Sequence, residues 1–159
     1  MKLAAVGSLF VGALFLAGCP SKDSSSSSGT APPPAGGGPL ANLEAQQPIQ
    51  EAWMSPEGQQ LPMLYYGAQN VRISAQCMQP TGQLNCDAIR QLRNAPPIEM
   101  STRGANPSMS VGTRGCMKMH YGIVTGRNSV GAEDGFCRFP DGSMVSNGAL
   151  EQYGMRLLD

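Results

Sequence analysis

Four cysteines, Cys77, Cys86, Cys116 and Cys137, constrain the fold of this chain more than any other feature. They form an even set within residues 46–159, a stretch of 114 residues that is enough for one small domain or two very small lobes sharing a core. In an oxidising compartment such a set reads as two disulfides. Of the three connectivities open to four cysteines, Cys77 with Cys86 and Cys116 with Cys137 is favoured, because each bond then lies within one local structural unit. Rings of these lengths are worth about 2.5–3.5 kcal/mol each by chain entropy. A four-cysteine zinc site is the rival reading, but it wants close pairs such as C-x2-C, and the spacings here are wider.

The fifth cysteine, Cys19, supplies the compartment. Residues 1–18 carry one positive charge at Lys2, an apolar run from Leu3 to Leu16 and small residues at the end, the three parts of a secretory signal peptide. The run is shorter than the roughly 20 residues of a membrane span, and Gly7, Ser8 and Gly12 interrupt it. Leu16-Ala17-Gly18-Cys19 resembles the bacterial lipobox. That resemblance implies cleavage before Cys19 and a diacylglycerol on its sulfur, with two or more acyl chains holding firmly where one holds marginally. Pro20 stands where Asp would resemble the inner-membrane retention signal, so an outer-membrane location facing the periplasm is expected.

From Pro20 to Pro39, Ser, Pro and Gly supply 15 of 20 residues, so residues 19–45 are expected to be a lipidated, disordered tether. Its reach is about 30 Å. In residues 46–159 nine basic side chains face nine acidic ones. A neutral domain without a basic stripe lacks the electrostatic footprint of a nucleic-acid partner. The expected partners are the membrane, through the lipid on Cys19, and an unidentified envelope protein.

Along residues 46–104, Pro48 to Gln60 reads as a short helical turn or loop around the lone Trp53. Leu61 to Tyr66 and Val71 to Ala75 carry strand patterns joined by a turn at Gly67 to Asn70, a hairpin. Asp87 is placed to cap a helix reaching Arg93, with Ile89 and Leu92 inward, Arg90 and Arg93 outward as solvated charges, and Pro96-Pro97 as the stop. In residues 105–159, Asn106-Pro107 looks like a helix start. Met117, Met119, Tyr121 and Ile123 alternate with polar or small residues and predict a strand. Thr125 to Asp134 reads as a polar loop, Gly135 to Phe139 as a strand, Pro140-Asp141-Gly142 as a tight turn, Ser143 to Ser146 as a strand, and Asn147 as the cap of a last helix. The expected fold class is α+β: short helices on an antiparallel sheet, stapled by disulfides.

The order Asn106-Pro107, a cysteine, a glycine-bearing loop, the block Gly135-x-Cys137-x-Phe139-Pro140-Asp141-Gly142-Ser143 and then Ala149 resembles the bacterial family called domain of unknown function 333. The resemblance spans about residues 105–154. Members are often exported lipoproteins labelled haemolysins, and the family brings no agreed activity. Gly112 falls where the family has its first cysteine, with Cys116 one helical turn later, a shift that keeps roughly the same helix face for a bond to Cys137. Val145 and Gly148 replace a further cysteine and a tryptophan, so the family's last disulfide is missing and Cys77 with Cys86 stands as a substitute. The haemolysin label meets neither a long amphipathic helix nor a set of membrane-length alternating strands.

A single histidine, His120, leaves no His-pair metal motif, and there is no G-x-S-x-G, phosphate-cradling loop or C-x-x-C. No cofactor and no catalytic residue is assigned. Met117, Met119 and His120 would suit Cu(I), but Met117 and Met119 fit better as core fillers on one strand face. The loop 125–134, with Arg127 near its middle and inside the Cys116–Cys137 ring, has the form of an inhibitor or partner-binding element, since preorganisation lowers the cost of binding. An ordinary polar connection is the plainer reading. The sequence therefore points to a lipid-anchored, non-enzymatic binding or structural module, with hydrolase inhibition through the loop second and Cu(I) binding third.

Overall fold

A computed structural model describes residues 38–101, 103 and 106–158. The signal peptide 1–18, the acylation site Cys19 and the tether up to residue 37 lie outside the described residues. The chain forms β1 (Ile49–Met54), β2 (Gln60–Tyr66), β3 (Val71–Ser74), α1 (Asp87–Arg93), β4 (Ile98–Ser101), α2 (Val111–Lys118), β5 (Gly122–Asn128), β6 (Glu133–Arg138), β7 (Met144–Ser146), α3 (Asn147–Gly154) and β8 (Met155–Leu158). The fold is α+β. Six antiparallel strands in the order β1-β2-β3-β7-β6-β5 close into a barrel, and β4 with β8 makes a separate two-stranded parallel sheet.

Alternation along the strands splits the core in two. Trp53, Leu61, Met63, Phe136 and Met144 fill the barrel, with Val124 against them. Leu64, Tyr66, Val71, Ile73, Cys137 and Val145 point the other way and meet Ala88, Ile89 and Leu92 of α1, Cys116 of α2, and Ala149 and Leu150 of α3. The register couples these faces: Leu64 lies opposite Ile73 and Tyr65 opposite Arg72, so a one-residue slip would exchange both cores. Both expected disulfides are present, Cys77–Cys86 joining the turn after β3 to the start of α1, and Cys116–Cys137 joining α2 to β6.

The β2–β3 hairpin and the turn at Pro140-Asp141-Gly142 stand where the sequence places them, Gly142 adopting φ 82° as a tight turn requires, and α1 does too, except that it begins at Asp87 with Cys86 rather than Asp87 as its cap. Four stretches differ. Residues 49–54 form β1, because Trp53 gains Leu61 as a cross-strand partner and Phe136 as an edge-on aromatic at 5.4 Å. The alternation at Met117 to Ile123 is no strand: α2 runs to Lys118, its cap is Ser110 rather than Asn106, and His120 at φ 60° turns the chain into β5. Glycines hid this helix. A Cβ on Gly112 would lie 1.9 Å from the Asn147 backbone oxygen, so the glycine permits the α2–α3 contact at the cost of helix propensity. The third stretch, 125–134, is mostly paired strand, with Arg127 opposite Glu133.

The fourth difference is where folding starts. Leu40 and Leu43 are buried in the larger core. The Arg93 guanidinium, expected in solvent, donates to the Leu40 carbonyl at 2.7 and 3.1 Å and to both Glu44 oxygens at 2.6 and 2.8 Å. The folded part thus includes residues assigned to the tether up to 45. Nor do 46–104 and 105–159 divide into separate units, since β3 pairs with β7 and β1 with β5.

Candidate functional site: the barrel seam and its hairpin

The barrel closes through only two residue pairs, Trp53 with Asn128 and Met54 with Arg127. The local sequence explains this. Past Met54 the chain turns at Ser55 to Gln59, where the Ser55 N–H donates to the Gln59 carbonyl and Pro56 has no N–H to offer a neighbouring strand. Past Asn128 the other strand turns too. The Asn128 side-chain oxygen accepts from the N–H groups of Val130 and Ala132 at 3.2 and 2.9 Å, and Gly131 takes φ 82°. Two tight turns therefore flank a short seam. Beside it lies a hollow of about 430 Å³ lined by Met54, Pro56, Thr125, Arg127, Asn128 and Glu133.

Arg127 is on a strand at this seam rather than in the middle of a loop. Its guanidinium pairs with Glu133 across the hairpin, an exposed pair that contributes little to stability. The protruding group is Val130, 84% exposed at the hairpin tip. Sequence reasoning overlooked it as one residue of a polar connection, although a valine within Asn-Ser-Val-Gly was the available signal. The Cys116–Cys137 bond anchors the base of the hairpin, because Cys137 lies opposite Ile123 on β5.

Toward the barrel interior, Arg72 gathers a second group that the strand pattern concealed. Its Nε donates to Glu51 at 2.8 Å, Asp134 lies 3.7 Å away, and the guanidinium stacks 4.1 Å from the Tyr65 ring centroid and 5.6 Å from that of Trp53. Trp53 Nε1 donates to the same Glu51 oxygen at 2.9 Å. Burial pushes the Asp134 carboxyl above its ordinary value, and the Gly135 N–H and Arg72 only partly offset this. Glu51 and Asp134 share one arginine. Arg72 therefore holds β1, β3 and β6 together through charge and stacking.

The block that carries the family resemblance has a structural role. Asp141 accepts the Asp87 N–H at 2.7 Å, Ser143 Oγ accepts the Ala88 N–H at 3.0 Å, and Cys86 Sγ accepts the Ile89 N–H at 3.4 Å. The first three amides of α1 are thus satisfied, two of them by the turn between β6 and β7. Burial raises the Asp141 carboxyl, but the hydrogen bonds from Asp87 and Ser143, aided by Arg90, outweigh it and leave the group below its ordinary value.

The copper candidates take different environments. Met119 packs against the larger core, Met117 is half exposed, and His120 is exposed in the turn, its N–H donating to the Met117 carbonyl at 2.9 Å. Cys116 is in a disulfide and offers no thiolate. Among the described residues no three His, Cys, Asp or Glu side chains gather as a metal site. Glu133 and Asp134 face opposite ways along β6, Glu133 outward to Arg127 and Asp134 inward to Arg72. Compared with protein-family models, curated proteins and solved structures, the chain matches none.

Proposed function

We propose that the chain is an exported lipoprotein of the bacterial envelope, acylated on Cys19, held on the outer membrane facing the periplasm, whose domain is a non-enzymatic binding module. The resemblance of residues 105–154 to domain of unknown function 333 belongs to this proposal and rests on the sequence alone. The carrying observation is the seam: a disulfide-anchored hairpin with an exposed apolar tip beside a hollow lined by Met54 and Pro56. Apolar groups held rigidly at the surface lower the ordering cost of recognition. Two disulfides accord with an oxidising compartment.

Val130 also favours a second reading, inhibition of a hydrolase through the hairpin, because a rigid projecting aliphatic side chain is suited to a substrate cleft. Crosslinking from position 130 in intact cells distinguishes the two. Adducts to a structural or receptor protein support the binding module, adducts to a hydrolase support inhibition, and no adduct from position 130 or from Met54 contradicts both.

A further inference from the structure

The seam leaves one strand edge open. β5 pairs with β6 from Gly122 to Arg127, but on its other side only Arg127 and Asn128 have partners in β1. Continuing that register would set Ser55 beside Gly126 and Pro56 beside Thr125, yet the chain turns away there. Among the described residues no strand pairs with the Gly122–Gly126 side of β5 that faces this turn. Every second residue of that stretch directs its N–H and C=O outward from the ladder.

The space beside this edge is shaped. A hollow of about 470 Å³ lies between Ile123, Val124 and Thr125 on one wall and Pro56, Glu57 and Gln59 on the other. It shares Pro56 and Thr125 with the seam hollow, and it shares Gln59 and Arg138 with a third hollow of about 340 Å³. The first two hollows lie along the open edge of β5, and the third adjoins them at Gln59 and Arg138 but is lined by β2, β3 and the turn before β7. At the far end of this groove Arg138 is half-buried, its guanidinium meets the Gln59 amide oxygen at 3.4 Å, and, after the Ser55 hydroxyl, its charge helps hold the exposed Glu57 carboxyl of the same hollow below its ordinary value. Among the described residues Arg72, Arg90, Arg93, Arg127 and Arg156 have carboxylate partners, and Arg138, like Arg103 and Arg114, has no ion pair. Glu57 stands on the rim and is exposed to solvent.

We propose that this groove binds an extended peptide segment of a partner protein, added as a strand to β5 and carrying a carboxylate that pairs with Arg138. Main-chain hydrogen bonds to Gly122–Gly126 supply affinity, and alternate apolar side chains settle against Ile123 and toward Met54. A carboxylate at Arg138 fixes the register through a charge-assisted bond. This rests on the reading of the domain as a binding module, and it names the partner's chemistry and the edge that holds it.

The test selects seven-residue peptides from a random library against the full-length protein in detergent and maps the enriched peptides by amide hydrogen exchange. The expected result is enrichment of extended sequences with alternating apolar residues and one acidic residue. Alternate amides of Gly122–Gly126 should be slowed, and Arg138→Gln should weaken binding about tenfold. Arg138→Lys, which keeps the charge at that position, serves as the folded control and retains most of the affinity. Peptides that bind but protect only the hairpin tip or the helices overturn the β5 assignment and leave the binding module standing. Failure to enrich any peptide overturns the β5 assignment and also counts against the binding module.

Discussion

Asp141 accepts the backbone N–H of Asp87 at 2.7 Å across 54 residues of sequence, so a turn between two barrel strands caps the helix that covers them. Helix, turn and strand are thereby coupled in one contact. Asp141→Ala should lower unfolding stability by about 1–2 kcal/mol, as removal of a cap does, read as a reduced urea midpoint at unchanged slope.

The same contact sets a pH dependence. The folded-state pKa of Asp141 is depressed, and so is that of Glu44, chiefly through its bond from Arg93. Each contributes stability that is present above the unfolded carboxyl range near pH 4 and is lost as pH falls through the lower folded value. Asp134 has the opposite sign: its raised pKa weakens the fold as pH rises through that value. Asp141→Asn should therefore flatten the acid limb of the stability curve, while Asp134→Asn should raise stability at neutral pH relative to its effect in acid.

Arg72→Leu leaves Glu51 and Asp134 inside the barrel end without their cation. With both partners partly solvated, the expected loss is about 2 kcal/mol. Trp53, the only tryptophan, loses both its stacked guanidinium and the fixed carboxylate beside Nε1, so its emission should shift. Adding Glu51→Gln should cost less than the sum of the single changes, the signature of direct coupling. Additive losses would contradict the arrangement.

Much of this was legible in the sequence. Leu61 to Tyr66 is an apolar and aromatic run because β2 separates two apolar environments, Val71 to Ser74 alternates apolar with polar, and each cysteine pair is close in sequence. β1 was hidden because its barrel-facing set is Ile49, Glu51 and Trp53, of which only Trp53 is buried, and its strand character comes from β2 and β5. α2 was hidden by Gly112 and Gly115, which look like helix breakers but allow Asn147 and Met155 to approach. At the candidate site, residues 125–134 read in the sequence as a loop with Arg127 near its middle, whereas most of them are paired strand. The exposed group is Val130, and the open edge of β5 follows from turn positions that no local pattern reports.

Gly112→Ala tests that packing. Its new Cβ would meet backbone, which yields less than a side chain, so overpacking should destabilise by about 1–3 kcal/mol despite the better helix propensity. Gly148, which has open space around it, serves as the control: Gly148→Ala should be neutral or stabilising in thermal unfolding. A stabilising effect at both positions would contradict the α2–α3 contact.

The central claim is that this domain works while anchored through Cys19, and intact mass spectrometry of the protein purified from membranes tests it most directly. The account predicts a mature chain beginning at Cys19 with diacylglycerol on its sulfur and two internal disulfides. A chain that retains residues 1–18, or one that begins at Cys19 with an unmodified thiol, would contradict it.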